Sequence, residues 1–152
     1  MAFKLSARSL KRLEGVDPKL VSVVKRAIEI SKVDFAVTEG LRTAAAQKKF
    51  VAAGKSQTMN SKHITGDAVD LVAYVGKNIS WELNLYDDIA DAMKQAAKEQ
   101  GVSLTWGAAW NIKDITQWKG TMEDAMNHYV DTRRSQGKRP FIDGPHFELT
   151  VG

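Results

Sequence analysis

Ser61-Lys62-His63-Ile64-Thr65-Gly66-Asp67-Ala68-Val69-Asp70 sets a histidine and an aspartate seven residues apart with a glycine between them. On a helix such positions share a face, but Gly66 and the β-like run after it argue against a helix. Fully extended, seven residues span about 23–25 Å, too far for both side chains to reach one ion. The chain must therefore turn, and Thr65-Gly66 is a suitable place. Residues 67–73 then read as a strand, with Asp70 pointing into the cavity that His63 faces from the loop. Asp70 is flanked by Val69, Leu71 and Val72. A carboxylate in such a strand is costly to bury unless it is paired or bound to metal. The plainer alternative is an aspartate in a salt bridge or at a strand-end turn.

Working outward, Asp17 and Pro18 mark a helix start, followed by Leu20, Val23, Val24, Ala27 and Ile28 at helical spacing. Residues 34–38 alternate as a half-buried strand that Gly40 breaks. Thr43 is suited to cap a second helix ending near Gly54, and residues 55–62 are polar and loop-like. A third helix is expected from about Tyr86 to Gln100, stopped by Gly101. Residues 102–106 and 147–151 read as strands, and 122–134 as a helix. Together these elements predict an α+β fold, with helices packed on a small, largely antiparallel sheet. At 152 residues and without a linker, the chain is expected to be one domain spanning 1–152.

The second informative stretch is Asp143-Gly144-Pro145-His146-Phe147-Glu148. Pro145 suits a tight turn, from which Asp143 and His146 can project toward one point. A lone histidine of this kind is more often structural; two histidines with an embedded aspartate are harder to explain so. His63, Asp70 and His146 form a good three-ligand catalytic zinc set, with one position left for water. Such a site also needs a carboxylate to move the water's proton to the leaving amine. Asp143 is the candidate. Glu148 is the alternative, its face relative to His146 depending on how regularly the last strand pairs.

Composition narrows the classes further. Cysteine is absent, which excludes disulfides, thiolate-held zinc and thiol catalysis. The apolar fraction of 43% and charged fraction of 26% are those of an ordinary soluble protein. Net charge is +4, a mild attraction to polyanions or simply a solvated lysine-rich surface. No stretch is apolar enough to span a membrane, so stable membrane insertion is not expected. The first residues lack the apolar run of a signal peptide, so synthesis is expected in the cytoplasm. Neither a nucleic-acid motif nor aromatics interleaved with basic residues is present, so no nucleic-acid partner is expected.

Ser61 to Asp70 is similar to a Ser-x-His-x-x-Gly-x-Ala-x-Asp pattern, and Asp143 to His146 to a later Asp/Glu-x-x-His pattern. Gly40-Leu41-Arg42-Thr43 with Gln47, and Trp106-Gly107-Ala108-Ala109-Trp110, match two further segments in the same order. On these motifs the chain resembles the zinc D-alanyl-D-alanine carboxypeptidase superfamily, specifically its phage endolysin branch of L-alanyl-D-glutamate peptidases. The resemblance runs from near residue 9 almost to the end. It implies zinc (Zn2+) held by His63, Asp70 and His146, with Asp143 as general base. It also implies that Arg42 binds a substrate carboxylate or the developing oxyanion, helped by Ser61 and Gln47. Arg42 as a mere surface cation at a helix start would be disfavoured by the helix dipole.

Two departures stand out. Ala109 occupies a position where the branch often has an aspartate, so any orienting role of that acid is missing or moved. The stretch from Ile112 to Phe141 is longer than the family leads one to expect, and it includes the basic segment Arg133 to Arg139. It is a lid, a surface for anionic envelope polymers, or decoration. His128 lies in this stretch and matches nothing, so it is read as non-catalytic. Trp106 and Trp110 are either core or the wall of a substrate groove.

The expected function is therefore an endolysin cleaving the L-Ala–D-Glu amide of peptidoglycan stem peptides, acting as a monomer. It would reach the wall after another factor opens the membrane, with the basic surface supplying attraction. Alternatives are a D,D- or L,D-carboxypeptidase with the same ligands, or a non-enzymatic zinc-stabilised binding module.

Overall fold

The computed structural model describes residues 3–41, 44–54 and 63–150. Among these residues it has five α-helices and five strands. Helix α1 is Ala7–Arg12 and α2 is Pro18–Ile30; strand β1 is Asp34–Glu39, followed by α3, Ala44–Ala52. Strands β2, Ala68–Val75, and β3, Asn78–Ser80, precede the long helix α4, Leu83–Gln100. Then come β4, Leu104–Trp106, a short 3-10 turn at Ile115–Gln117, helix α5, Met122–Ser135, and β5, His146–Leu149.

Local chemistry accounts for most of these boundaries. The Asp17 carboxylate accepts from the Lys19 N–H at 2.9 Å and Pro18 opens α2, as the sequence predicts. The apolar stripe Leu20, Val23, Val24, Ala27 and Ile28 is buried. Gly101 ends α4 in the left-handed conformation, where a residue without Cβ adds no strain. Helix α4 begins at Leu83 rather than near Tyr86, because Glu82 at its N-cap makes no side-chain capping bond that would mark the start. Helix α1 and strand β3 are additions to the sequence reading. The former is held by the Ser6 hydroxyl, which accepts from the Ser9 N–H at 3.1 Å.

The strands form one sheet in the order β1-β2-β5-β4, with β3 also paired to β2, and every pairing is antiparallel. Val69, Leu71 and Ala73 alternate onto one face of β2 and join the core built with α2 and α4. Burial of each such Val or Leu contributes about 1.5–3 kcal/mol, which is what holds the helices on this face. Asp70 falls on the other face by the same alternation. The β2–β5 register sets Asp70 directly opposite His146 and Val69 opposite Phe147. One register therefore sends the apolar pair into the core and the polar pair into the site.

The turn at residues 63–66 brings His63 back to this point. Its Gly66 has φ +78°, and an added Cβ would lie 2.5 Å from the Gly15 carbonyl oxygen. The Gly66 carbonyl accepts from the Asp17 N–H at 2.8 Å, tying the turn to the start of α2. The same helix start thus anchors the loop that carries the histidine.

One buried group works against the fold. Asp87 on α4 is 5% exposed, and its Oδ1 has no hydrogen-bond partner. Burial, and then the charges of Glu123, Asp91 and Asp88, push its carboxyl up to about 6 from the usual 3.8. A raised carboxyl favours folding below the unfolded value and loses that contribution as pH rises through the folded one. Asp87→Asn is therefore expected to raise stability at pH 7.5 by on the order of 1 kcal/mol, with the gain vanishing near pH 4. Thermal melts of both proteins at the two pH values check this; an equal shift at both would contradict it.

Candidate metal centre and active site

Three elements converge on one point. Asp70 comes from the middle of β2, His146 from the first residue of β5, and His63 from the turn before β2. Their ligand atoms all lie within 4.8 Å of one another. His63 Nε2 and His146 Nδ1 each lie 3.2 Å from the same oxygen, Asp70 Oδ1. The two imidazoles meet edge to face, with centroids 5.1 Å apart. His63 is 2% exposed and His146 8%, whereas the Asp70 side chain keeps 22% of its surface. Access to the cluster is therefore past the carboxylate.

The outer nitrogen of each ring determines what the inner one offers. His63 Nδ1 faces the Gly40 carbonyl at 2.9 Å, and a carbonyl only accepts, so this nitrogen carries the proton. His146 Nε2 faces Glu148 Oε1 at 2.8 Å, and by the same logic it donates to the carboxylate. In the neutral rings the remaining nitrogens, His63 Nε2 and His146 Nδ1, present lone pairs toward Asp70 Oδ1. Three electron-rich atoms then point at one another, an arrangement stable only with positive charge among them. A second proton on the rings supplies it, or a metal cation does.

The titration behaviour reflects that demand. Burial opposes charge on His146, but the hydrogen bonds to Asp70 and Glu148 outweigh it and raise its pKa to about 9. Burial likewise opposes ionisation of Asp70, yet the hydrogen bonds from His146 and His63 hold it well below the usual carboxylate range.

The donor set also fits a metal in size and type. Ligands at about 2.0–2.1 Å in a tetrahedron lie roughly 3.3–3.4 Å apart, close to the two 3.2 Å separations here. Imidazole nitrogen held from behind by carbonyl or carboxylate is the usual support of a metal-binding histidine. Glu148 occupies that supporting place. It lies two residues beyond His146 on β5 and so on the same face, engaged with the ring rather than standing apart as a base.

Asp143 stands on the turn leading into β5. Its backbone N–H donates to the Gly107 carbonyl at 2.8 Å, and its carbonyl accepts from the His146 N–H at 3.1 Å. Position 107 tolerates only glycine, since an added Cβ would sit 2.2 Å from the Asp143 carbonyl oxygen. Asp143 is half-buried, and its charge is among those that raise His146. The sequence motif at 106–110 thus acts by holding the turn that carries Asp143: the Trp106 indole also donates to the Gly144 carbonyl at 2.8 Å.

Other expected positions separate. Trp106 is fully buried and stacks on Phe147, which makes it core. Trp110 lies beside the cluster, with its ring centroid 5.4 Å from that of His146, and stacks on Phe141, a wall of the site. Ala109 is fully buried. His128 meets Asn111 and Trp118 and is not part of the cluster. Gln47 lies in α3, but its side chain, like Arg42 and Ser61, is outside the described residues. The orienting bond of Glu148 was missed in the sequence; its signal is the His-x-Glu spacing on a strand, which puts both side chains on one face.

The known proteins similar to this chain are peptidases of one kind. Residues 1–150 match the family described as Phage L-alanyl-D-glutamate peptidase. The chain is 37% identical over 153 aligned positions to the L-alanyl-D-glutamate peptidase of Escherichia phage T5, covering 98% of this chain and 99% of that one. It is 28% identical over 108 positions to the L-alanyl-D-glutamate peptidase of Listeria phage A118, covering 69% of this chain and 37% of that protein. Among solved structures, the Serratia marcescens L-Ala D-Glu endopeptidase ChiX is similar with a TM-score of 0.71 and 39% identity. That match covers 98% of this chain and 91% of the other. The chain belongs to the phage L-alanyl-D-glutamate peptidase family.

Proposed function

We propose that this protein is a zinc-dependent peptidoglycan endopeptidase, an endolysin that hydrolyses the L-Ala–D-Glu amide of stem peptides. The observation that carries the proposal is the convergence of His63, Asp70 and His146 with Asp143 on the adjoining turn, in a chain of this family. His63 Nε2, Asp70 Oδ1 and His146 Nδ1 would hold the ion, leaving a side open past Asp70. When bound, zinc supplies Lewis-acid polarisation of the scissile carbonyl and brings the pKa of water to about 7.

The chain's own groups do the rest. Gly40 and Glu148 keep both rings turned inward, so the site is organised before substrate arrives. The Asp143 carboxylate takes a proton from the attacking water and delivers it to the leaving nitrogen of D-Glu. Arg42 grips a substrate carboxylate or the developing oxyanion, with Ser61 and Gln47 assisting, because a guanidinium forms paired charge-assisted bonds with such groups. Trp110 shields one side of the site from water. Among the described residues no helix is long and apolar enough to cross a membrane. We place its action on the wall after another factor has opened the membrane, and take the working form to be a monomer.

Digestion of purified peptidoglycan by the zinc-loaded protein, followed by mass spectrometry, tests the bond. New stem peptides starting at D-Glu, with L-Ala left on the muramic acid, are expected and should disappear with a zinc chelator. Release of terminal D-Ala instead would reassign the enzyme to the carboxypeptidases, and no cleavage would favour a binding module. Asp143→Asn is expected to retain zinc while losing about 10²–10⁴ in turnover, the usual worth of general acid–base catalysis. Near-normal turnover in that variant would remove Asp143 from the role.

A further inference from the structure

The molecule carries an exposed aromatic ring that the peptidase chemistry does not use. Trp81, between β3 and α4, is 66% exposed, and Ile79 beside it on β3 is 45% exposed. An indole left in water by chance is normally free to change rotamer; this one is held. Its ring lies parallel to that of the buried Tyr86, at 9° with centroids 6.2 Å apart. Tyr86 in turn cannot move, since its hydroxyl donates to the Ser80 carbonyl at 2.8 Å and accepts from the Ala73 N–H at 3.2 Å. Trp81 thus rests in offset stacking on a fixed neighbour, with most of its ring exposed.

The platform is continuous with the candidate site. Tyr86 backs the turn that carries Asp143, because a Cβ at Gly144 would lie 3.2–3.3 Å from Tyr86 Cβ and Cγ. Ile79 pairs with Tyr74 across β2–β3, and Tyr74, Val72 and Asp70 alternate onto one face of β2. The exposed apolar side chain of β3 therefore projects from the same face as the Asp70 carboxylate.

We propose that Trp81, flanked by Ile79, is a docking platform for a sugar ring of the peptidoglycan glycan strand. The proposal rests on the peptidase reading above. In that substrate only one residue, L-Ala, separates the scissile amide from the muramic acid, so a hexosamine ring must lie close to the site during cleavage. The C–H-rich face of a pyranose is apolar and weakly positive, which suits the electron-rich face of an indole. A rigid, pre-oriented ring binds such a face without the entropy cost of ordering a mobile side chain. A further protein is the less favoured occupant, because the platform lies beside a site whose own substrate is a sugar-linked peptide.

The test compares two substrates and one bare glycan. For the zinc-loaded enzyme, Trp81→Ala is expected to lower kcat/KM about three- to tenfold on glycan-linked stem peptide. It should leave cleavage of a glycan-free peptide containing L-Ala–D-Glu unchanged, and Trp81→Phe should recover part of the loss. Equal loss on both substrates, or no loss on either, would overturn the proposal. Separately, chitotetraose is titrated into the protein while the indole N–H signals of its four tryptophans are followed by NMR. The signal missing from Trp81→Ala is expected to shift; shifts confined to the others, or none, would overturn the platform. If the wild type cleaves neither substrate, the peptidase reading fails, while the titration still decides the platform.

Discussion

The site depends on three electron-rich atoms being made to face one another. Left to themselves, two imidazole lone pairs and a carboxylate oxygen would separate, because each costs free energy to desolvate and gains nothing from the others. Here each is pinned from outside: His63 by the Gly40 carbonyl, His146 by Glu148, and Asp70 by its place in a strand paired on both sides. The fold keeps these atoms together, and a cation makes the arrangement favourable. The orientation of both rings is thus set from behind, by groups of the kind that tune a metal site.

The architecture serves this point with few parts. A single antiparallel register aligns Asp70 with His146 and Val69 with Phe147, so the packing that stabilises the sheet also positions the polar pair. A one-residue slip of β5 would turn His146 into the core, which ties the site to the integrity of the sheet. Gly107 lets the loop after β4 approach the Asp143 backbone closely, and Tyr86 closes the other side of the same turn. The buried Tyr86 thus backs Gly144 in that turn and stacks on Trp81.

Much of this was legible in the sequence because polar residues stood where apolar ones belong. Asp70 within Val69, Leu71 and Val72 signals a carboxylate with a special partner, and Gly66 signals the turn that returns His63 to it. The helix starts at Asp17-Pro18 and the stop at Gly101 follow from side-chain and backbone chemistry a few residues long. What could not be read depends on pairing between distant segments. Nothing in residues 146–148 alone says that β5 lies beside β2, and without that register His146 cannot be set against Asp70. Trp81 is similar: its exposure and its stacking on Tyr86 arise only when the β2–β3 hairpin meets α4. The roles given to Arg42, Ser61 and Gln47 came from resemblance, since single polar residues in loops or helices carry no periodic signal.

We propose that His63, Asp70 and His146 together hold one zinc ion. Anomalous diffraction at the zinc edge, from crystals of the zinc-loaded protein, tests this most directly. One strong peak is expected about 2.0–2.2 Å from His63 Nε2, an Asp70 carboxylate oxygen and His146 Nδ1. A peak coordinated by other residues, or none at this point in protein carrying one equivalent of zinc, would contradict it.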